Sequence, residues 1–470
     1  MSVLAAGETA TGARGNASLA LTLGLALFLL LNAFALNSAL RLLSPLYYSE
    51  TVLNHTSDVL HAEGCDDSWG IMAYALAYAR SPHTTPLYTE VFFNQRLKFQ
   101  YPPSSLFAIA GMLWLAGPDL VRTSECTGYE VASLNDVLGW LFILISAVSA
   151  AVLLERGLRQ TLPAPSSPLL VAARGLLVLG FAVTFYPIVK AFTLGQIQIW
   201  LNGLFALSLL CWATGWKASS GVLLGLMCLV KPHYGLFVLW AALRREWRFT
   251  IACVATGAVG LVASIATFGL TDNVDYLPVF WFLSQHGEVY YPNQSFNGLF
   301  NRVMTLIDPN NYDSLGFDDN GFPPFNPWIY AGTLATSLAL IGAAILRRGN
   351  EGDRDRVFDF CTMGLSVTMA SPIAWEHHYG ILFPIFAVLL ASVIGHRTRL
   401  ILLAVSYVVI SNFFPASNLL ADSVFNMVQS YLLFAALIVL ALLHTARPGW
   451  QLGSWRIGRE AVGEPALKPQ

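Results

Sequence analysis

Residues 371–380, SPIAWEHHYG, set Glu376, His377 and His378 side by side between Trp375 and Tyr379, in a half of the chain otherwise made of long apolar runs. Ionisable groups next to hydrocarbon are expensive, and the default reading of such a cluster is functional. A histidine there can carry a proton, donate to a phosphate or ligate a metal. The Glu-His-His order lacks the HExxH spacing of a zinc site, so no metal is expected. Adjacent residues cannot share one face of a helix, so one of His377 and His378 is expected to point inward. The plainer alternative is a histidine hydrogen-bonded at a helix start, and Trp375 and Tyr379 fit an interfacial aromatic belt.

Other chemistry-bearing residues are spread along the chain. Asp66 and Asp67, in CDDSW (65–69), form an adjacent carboxylate pair. If desolvated, one of them is driven to take a proton or a cation, and a carboxylate that accepts a proton from an attacking hydroxyl is a general base. A solvated acidic loop is the competing reading. Lys190, Lys231 and Arg302 are isolated cations near the ends of apolar runs. A lone lysine there commonly snorkels to lipid headgroups; fixed cations at a membrane face also suit a phosphate. Lys231 sits mid-run beside Pro232 with no acid near it in sequence, which is harder to explain by snorkelling. Arg96 and Lys98 precede FQYPPSS (99–105), where Tyr101-Pro102-Pro103 prescribes an extended approach to a helix. Gln196 and Gln198 in VKAFTLGQIQ (189–198) and Asn297 in NQSFNGLFNR (293–302) can bond to backbone or to a polar ligand.

These residues need a scaffold, and composition prescribes it. Of the 470 residues, 55% are hydrophobic and 11% charged, against roughly a quarter charged in soluble domains. Apolar runs of about 18–22 residues recur, each long enough to cross a bilayer as a helix, and too continuous for the alternating strands of a barrel. The expected fold class is all-α, a polytopic helical membrane protein. The runs fall at 18–40, 104–117, 135–154, 168–187, 196–213, 219–243, 249–269, 327–346, 357–372, 379–395, 398–414 and 426–445. The net charge of −2 gives no general attraction to nucleic acid. Residues 18–40 read as a retained first span, not a removed signal peptide.

Charge orients the spans. ERGLR (155–159), GWK (215–217), RREWR (244–248), RRGNEGDRDR (347–356), GHRTR (395–399) and the tail from Arg447 are basic or Arg-rich, hence cytoplasmic by the positive-inside rule. GWK and RREWR then flank a single run, 219–243, that must return to its own side. Proline breaks a helix, so this run is expected as two half-helices with KPHY (231–234) at an outward tip. The short run 104–117 is expected to be re-entrant, and IMAYALAYA (71–79) to lie in the interface. The expectation is about 12 spans in a single domain, 18–445, with outward loops 41–103, 118–134 and 270–326. Residues 1–17 and 446–470 are then cytoplasmic tails. Every unusual polar sequence named above comes to the outward face, which points to one site there. Of six cysteines, Cys211, Cys228, Cys253 and Cys361 sit in apolar runs and Cys65 and Cys126 in polar connections. The latter two could pair in an oxidising compartment. The acidic stretch 308–322 lacks EF-hand spacing and reads as a solvated loop.

The ordered set of DD after the first span, PLY (86–88), FxYPP, LGQIQ (194–198), GVLLGLMCLVKP (221–232) followed by RREWR, NQSFNGLFNR and SPIAWEHHY resembles glycosyltransferase family 87 over about residues 60–395. That family comprises membrane enzymes of the GT-C fold, including polyprenol-phosphate-mannose-dependent mannosyltransferases. The resemblance implies a hexosyltransferase that takes a sugar, mannose foremost, from a polyprenyl-phosphate donor to a hydroxyl of a lipid or glycan acceptor, with inversion and without a cofactor. It implies a first-loop aspartate as base, Asp67 or Asp66. It also implies a donor phosphate held by Lys231, Arg302 and one of His377 or His378, with Lys190 as a further cation. Tyr101, Gln196, Asn297, Trp375 and Glu376 are the expected substrate contacts. The implied setting is the plasma (inner) membrane, with the site on its periplasmic or extracellular face. The segment SPHTT (81–85) departs from the family's shorter glycine-containing turn, which leaves the register of the two aspartates open.

Two other classes compete. A lipid or lipid-linked-sugar flippase would carry polar groups at mid-membrane and on both faces. An O-antigen-ligase-like enzyme would rely on Arg and His in a large outward loop and leave the Asp pair without a part.

Overall fold

The computed structural model describes residues 17–43, 50–116, 132–162, 166–307, 322–347, 356–421 and 423–445. Among the described residues the chain is helical and carries no strand beyond one isolated bridge, Asn293 with Trp375. Among the described residues six helices are long and apolar enough to cross a bilayer: Ala17–Leu43, Leu134–Thr161, Trp247–Val274, Pro327–Leu346, Glu376–Val393 and Asn426–Thr445. The pair Pro168–Ala182 and Tyr186–Thr193, bent by 57°, would add a seventh. Shorter apolar helices include Gln198–Ala213, Pro103–Leu115, in the run expected to be re-entrant, and Lys217–Cys228 and Pro232–Leu243, in the run expected as two half-helices. The chain is a helical membrane protein, and among the described residues six long helices, or seven with the bent pair, meet the length and hydropathy of a span.

Several expected boundaries shift for local reasons. The run 219–243 is indeed broken: one helix ends at Cys228, and a 3-10 turn starts at Pro232, which has no N–H to continue the ladder. The run 168–187 breaks earlier than its hydrophobicity suggests, because Pro187 opens a new helix at Tyr186. The stretch 270–326, expected as a loop, begins inside the Trp247–Val274 helix and holds the helices Tyr276–His286 and Phe296–Ile307. Residues 308–321, Cys126 and both expected tails apart from Ala17 lie outside the described residues.

Packing follows membrane rules. Gly221 and Gly225 form a GxxxG face that lets the Lys217–Cys228 helix approach Trp247–Val274 closely. A Cβ on Gly221 would lie 2.3 Å from the Phe249 carbonyl oxygen. The first span is tied in by amides. Asn37 donates to Asn412 Oδ1 at 2.6 Å, Asn412 donates to Asn32 Oδ1 at 2.9 Å, and Asn32 donates to Ser411 Oγ at 3.1 Å. At the opposite end of that span Arg174 is buried on Glu155 and donates to Ser18 and Thr22.

What positions the site is the turn between the Tyr186–Thr193 and Gln198–Ala213 helices. Around it pack the 376–381 3-10 turn, the start of the Asp67–Arg80 helix and the tip at Lys231.

Candidate active site

The Asp66–Asp67 segment is strapped to that turn by backbone bonds: Cys65 N to Thr193 O at 2.8 Å, Asp67 N to Leu194 O at 3.0 Å, and Ser68 N to Gly195 O at 3.4 Å. The approach requires glycine at 195. Its φ is +64°, and a Cβ there would lie 1.8 Å from the Cys65 carbonyl oxygen. The strap also separates the two aspartates. Asp66 is 1% exposed and N-caps the helix, its carbonyl accepting from Trp69 N and Gly70 N. Asp67 remains open to solvent.

Asp67 is gripped from one side. Gln196 donates its amide N–H to Asp67 Oδ2. The other end of that amide, Oε1, accepts from Ser68 Oγ at 2.7 Å and Tyr101 OH at 3.3 Å. Ser68 Oγ in turn accepts from Ile197 N at 3.1 Å. Gln196 therefore has its two ends distinguished and one rotamer fixed. Although solvent reaches Asp67, protein surrounds most of it. Burial pushes its pKa above the ordinary carboxylate range, Gln196 pulls it back, neighbouring Asp66 pushes it up, and Lys190 and Lys98 pull it down.

Two residues further along the same turn, Gln198 serves the cation. Lys231 Nζ donates to Gln198 Oε1 at 2.7 Å and meets His378 Nε2 at 2.6 Å. As an ammonium Lys231 has three donors and no acceptor, so in that state His378 accepts at Nε2 and one Lys231 N–H is left over. No carboxylate stands within ion-pair distance of Lys231 among the described residues. Gln198 Nε2 donates to Asn202 Oδ1 at 2.9 Å, and Asn202 donates to the His377 carbonyl at 3.2 Å. Gly380 lets that amide in, since a Cβ would lie 2.1 Å from Asn202 Nδ2. His377 is 6% exposed and its Nε2 has no hydrogen-bond partner. Both imidazoles thus face inward, because the 376–381 segment is a 3-10 turn enclosed by neighbouring helices, not a helix with one free face.

The remaining predicted residues sit elsewhere in the network. Lys190 Nζ donates to Glu50 Oε2 at 2.5 Å. Glu50 is drawn down to about 2, first by the His55 hydrogen bond and against burial, with Lys190 adding its charge. Glu376 is buried between two phenols, Tyr186 donating at 3.2 Å and Tyr431 at 3.4 Å. The Arg302 guanidinium is spent on Asn293 O at 2.7 Å, Ser430 Oγ at 3.0 Å and Tyr291 O at 3.5 Å. Asn297 Oδ1 accepts from Glu288 N at 3.2 Å and from Asn301 at 2.9 Å. Trp375 N-caps the 376–381 turn and packs edge-on against Tyr290. The structure therefore joins Asp67, Gln196 and Tyr101 in one cluster and Lys231 with His378 in another, bridged by one turn. Arg302 and Asn297 brace the 287–302 segment. No group of three or more His, Cys, Asp or Glu side chains suited to a metal occurs among the described residues.

Ser68, Glu50, His55, Asn202 and Glu288 enter the site without having been marked in the sequence. Ser68 adjoins the acidic pair and could have been read as a helix-start hydroxyl; the other four carry no local signal. Cys65 is disulfide-bonded.

A polytopic helical protein with an open carboxylate and a buried cation on one turn has the makings of a membrane enzyme acting on an anionic substrate. Glycosyltransferase family 87 matches residues 99–372, and the chain belongs to that family; it is a membrane glycosyltransferase. It is 25% identical over 327 residues, 67% of each chain, to a polyprenol-phosphate-mannose-dependent alpha-(1-2)-phosphatidylinositol mannoside mannosyltransferase of Mycolicibacterium smegmatis. It is 26% identical over 321 residues to the protein of the same description in Mycobacterium tuberculosis, covering 66% of this chain and 65% of that one. No solved structure matches it.

Proposed function

We propose that the protein transfers mannose from a polyprenyl-phosphate donor to a hydroxyl of a membrane lipid of the phosphatidylinositol mannoside class, with Asp67 as general base. The observation that carries this is the Gln196-Ile197-Gln198 turn, whose first amide holds Asp67 and whose second holds Lys231. A base and a phosphate-binding cation fixed to one rigid tripeptide meet the two demands of an inverting transfer. Asp67 takes the proton of the acceptor hydroxyl as its oxygen bonds to the anomeric carbon. The carbon–oxygen bond to phosphate breaks on the opposite face, and polyprenyl phosphate leaves with the bonding pair. A general base placed this way contributes roughly 10²–10⁴-fold. Lys231 offers its third N–H to the phosphate, with His378 in contact with Lys231 and the unpartnered His377 Nε2 on the same turn. Lys190, held by Glu50, supplies a second positive charge near Asp67. Arg302, Asn297 and Trp375 act as braces, and Glu376 anchors Tyr186 and Tyr431.

The site is assigned to the outward face of the plasma membrane. The basic connections on the opposite side support this, as does the disulfide at Cys65, which persists in an oxidising compartment. The test uses purified protein in nanodiscs with radiolabelled polyprenyl-phosphate mannose and phosphatidylinositol mannoside. Asp67→Asn is expected to bind donor with unchanged affinity and to transfer nothing, while Asp66→Asn loses stability. Full transfer by Asp67→Asn removes the base assignment. Transfer from a polyprenyl-phosphate pentose, with none from the mannose donor, replaces the sugar and keeps the mechanism.

A further inference from the structure

A cavity of about 430 Å³ lies away from Asp67 and Lys231, between the first span and the helices Leu134–Thr161, Pro168–Ala182, Glu376–Val393 and Arg397–Ile410. Every residue lining it is apolar except for the phenol of Tyr407. Aromatic rings close one end, those of Phe28, Phe181 and Phe386 standing 5.7, 5.6 and 5.1 Å from the Tyr407 ring. Behind them the buried Phe185 packs on Phe383, Phe386 and Tyr407. The next residue, Tyr186, donates to Glu376. This aromatic layer walls the cavity off from the 376–381 turn. The open end is the far one, where Ala20, Gly24 and Leu400 are exposed and Leu390 and Ala404 half-buried.

The opening follows from how the first span is clasped. That span and the Arg397–Ile410 helix run side by side in one direction. Near the candidate site they are joined, Asn32 and Asn37 bonding to Ser411 and Asn412. At its other end the first span turns to a different neighbour. Ser18 and Thr22 accept from Arg174, and Ser18 meets Ser166 at 2.8 Å. A slot is left between Ala20 and Gly24 on one lip and Leu400 and Ala404 on the other. Three of these four residues are small, and a Cβ on Gly24 would have no atom within 4 Å. Water needs two to four polar partners, which this lining lacks; a hydrocarbon chain from the bilayer needs none.

Charge selects the lipid. Leu400, Leu403, Ala404 and Tyr407 present one stripe of their helix to the cavity, and Arg397 stands one turn before Leu400 on the same stripe. Helical side chains lean toward the N-terminus, so Arg397 extends beyond the slot to headgroup level. Among the described residues neither Arg397 nor Arg399 is ion-paired. Basic groups at such an opening suit an anionic headgroup. We propose that the cavity holds one acyl chain of an anionic phospholipid from the leaflet opposite the candidate active site, with the lipid phosphate at Arg397. A tail attached to a donor at Lys231 would have to cross the Phe185 layer to reach the same space.

The experiment places the full-length protein in phosphatidylcholine nanodiscs containing phosphatidylglycerol with a diazirine at the end of one acyl chain. After irradiation, adducts are mapped by peptide mass spectrometry. Adducts are expected at the cavity floor, on Phe28, Phe386 and Tyr407, above the level on bilayer-facing residues such as Ile251 and Val262. Gly24→Phe, which fills the slot, should abolish the floor adducts. Arg397→Gln should lower them about fivefold, the worth of one basic group near an anionic lipid surface, and Arg397→Lys should retain them. The same diazirine chain on phosphatidylcholine should label the floor about fivefold less. Floor labelling no stronger than that of Ile251 and Val262, or equal labelling from phosphatidylcholine, overturns the proposal. Loss of floor adducts on adding unlabelled polyprenyl phosphate also overturns it, and gives the cavity to the donor tail. If Gly24→Phe does not fold, Ala404→Phe blocks the slot from its other lip.

Discussion

Lys231 is a buried ammonium with no carboxylate partner among the described residues, held only by Gln198 Oε1 and His378 Nε2. Such a group is a poor stabiliser, because desolvation of a charge costs several kcal/mol and two neutral acceptors return only part of it. Replacing it with Met removes the charge and keeps the stem. If Lys231 exists to meet a phosphate, Lys231→Met loses one charge-assisted hydrogen bond to the donor, about 1.5–3 kcal/mol. At 1.36 kcal/mol per tenfold, that is roughly a 12- to 160-fold weaker interaction with polyprenyl-phosphate mannose. The loss should appear in donor affinity, measured by titrating labelled donor into nanodiscs. It should also appear in kcat, because the negative charge on the phosphate grows as the glycosidic bond breaks. Thermal stability should hold or rise, since the deleted charge is compensated only by neutral groups. The opposite pair of results, unchanged donor binding with a clearly lower thermal midpoint, would make Lys231 a structural residue and refute the reasoning.

Three further outcomes follow from the same geometry. Gly195→Ala forces a Cβ to 1.8 Å from the Cys65 carbonyl oxygen at a positive φ, so thermal unfolding should show a large loss of stability, with activity lost alongside it. Ser68→Ala strands Ile197 N–H and frees one end of Gln196. About 1–1.5 kcal/mol is at stake, so kcat should fall roughly tenfold while donor KM, which the proposal places at Lys231, stays put. Arg302→Met removes the donors from Asn293 O, Ser430 and Tyr291 O. It should cost about 3 kcal/mol of stability through unmet buried acceptors, leaving donor affinity of the folded fraction unchanged.

The membrane class was legible because a bilayer makes a blunt demand. Long uncharged runs have few other uses, and Pro232 and the basic connections GWK and RREWR marked a break that the structure places between Cys228 and Pro232. Helix lengths were less legible, because hydropathy runs on through a bend such as the one before Tyr186, where the apolar character does not change but the axis turns by 57°. The polar cluster around the candidate site was legible in its parts. CDDSW, LGQIQ, KPHY and the EHHY turn were each visible as polar residues where apolar ones were due, and the structure brings them to one turn. Glu288 and Glu50 were not visible, since a carboxylate in a polar loop looks the same in sequence whether it is solvated or, like Glu288, fully buried.

The contrast between Lys231 and Arg302 shows where residue type stops being informative. Both are buried cations in polar interruptions of an apolar chain, and both suited a phosphate on chemical grounds. The difference lies in what remains unspent. Arg302 directs its fork at two backbone carbonyls and a serine, a task for which a planar five-donor group is well shaped. Lys231 keeps a donor in hand, and beside it His377 keeps an imidazole nitrogen without a partner. Unmet hydrogen-bonding capacity in a buried place is unfavourable in the empty protein, and it is recovered when a ligand of matching charge arrives. On that ground the proposed phosphate contact is better served by Lys231 and His377, close to the turn that also holds Asp67, than by Arg302, whose donors are already in use.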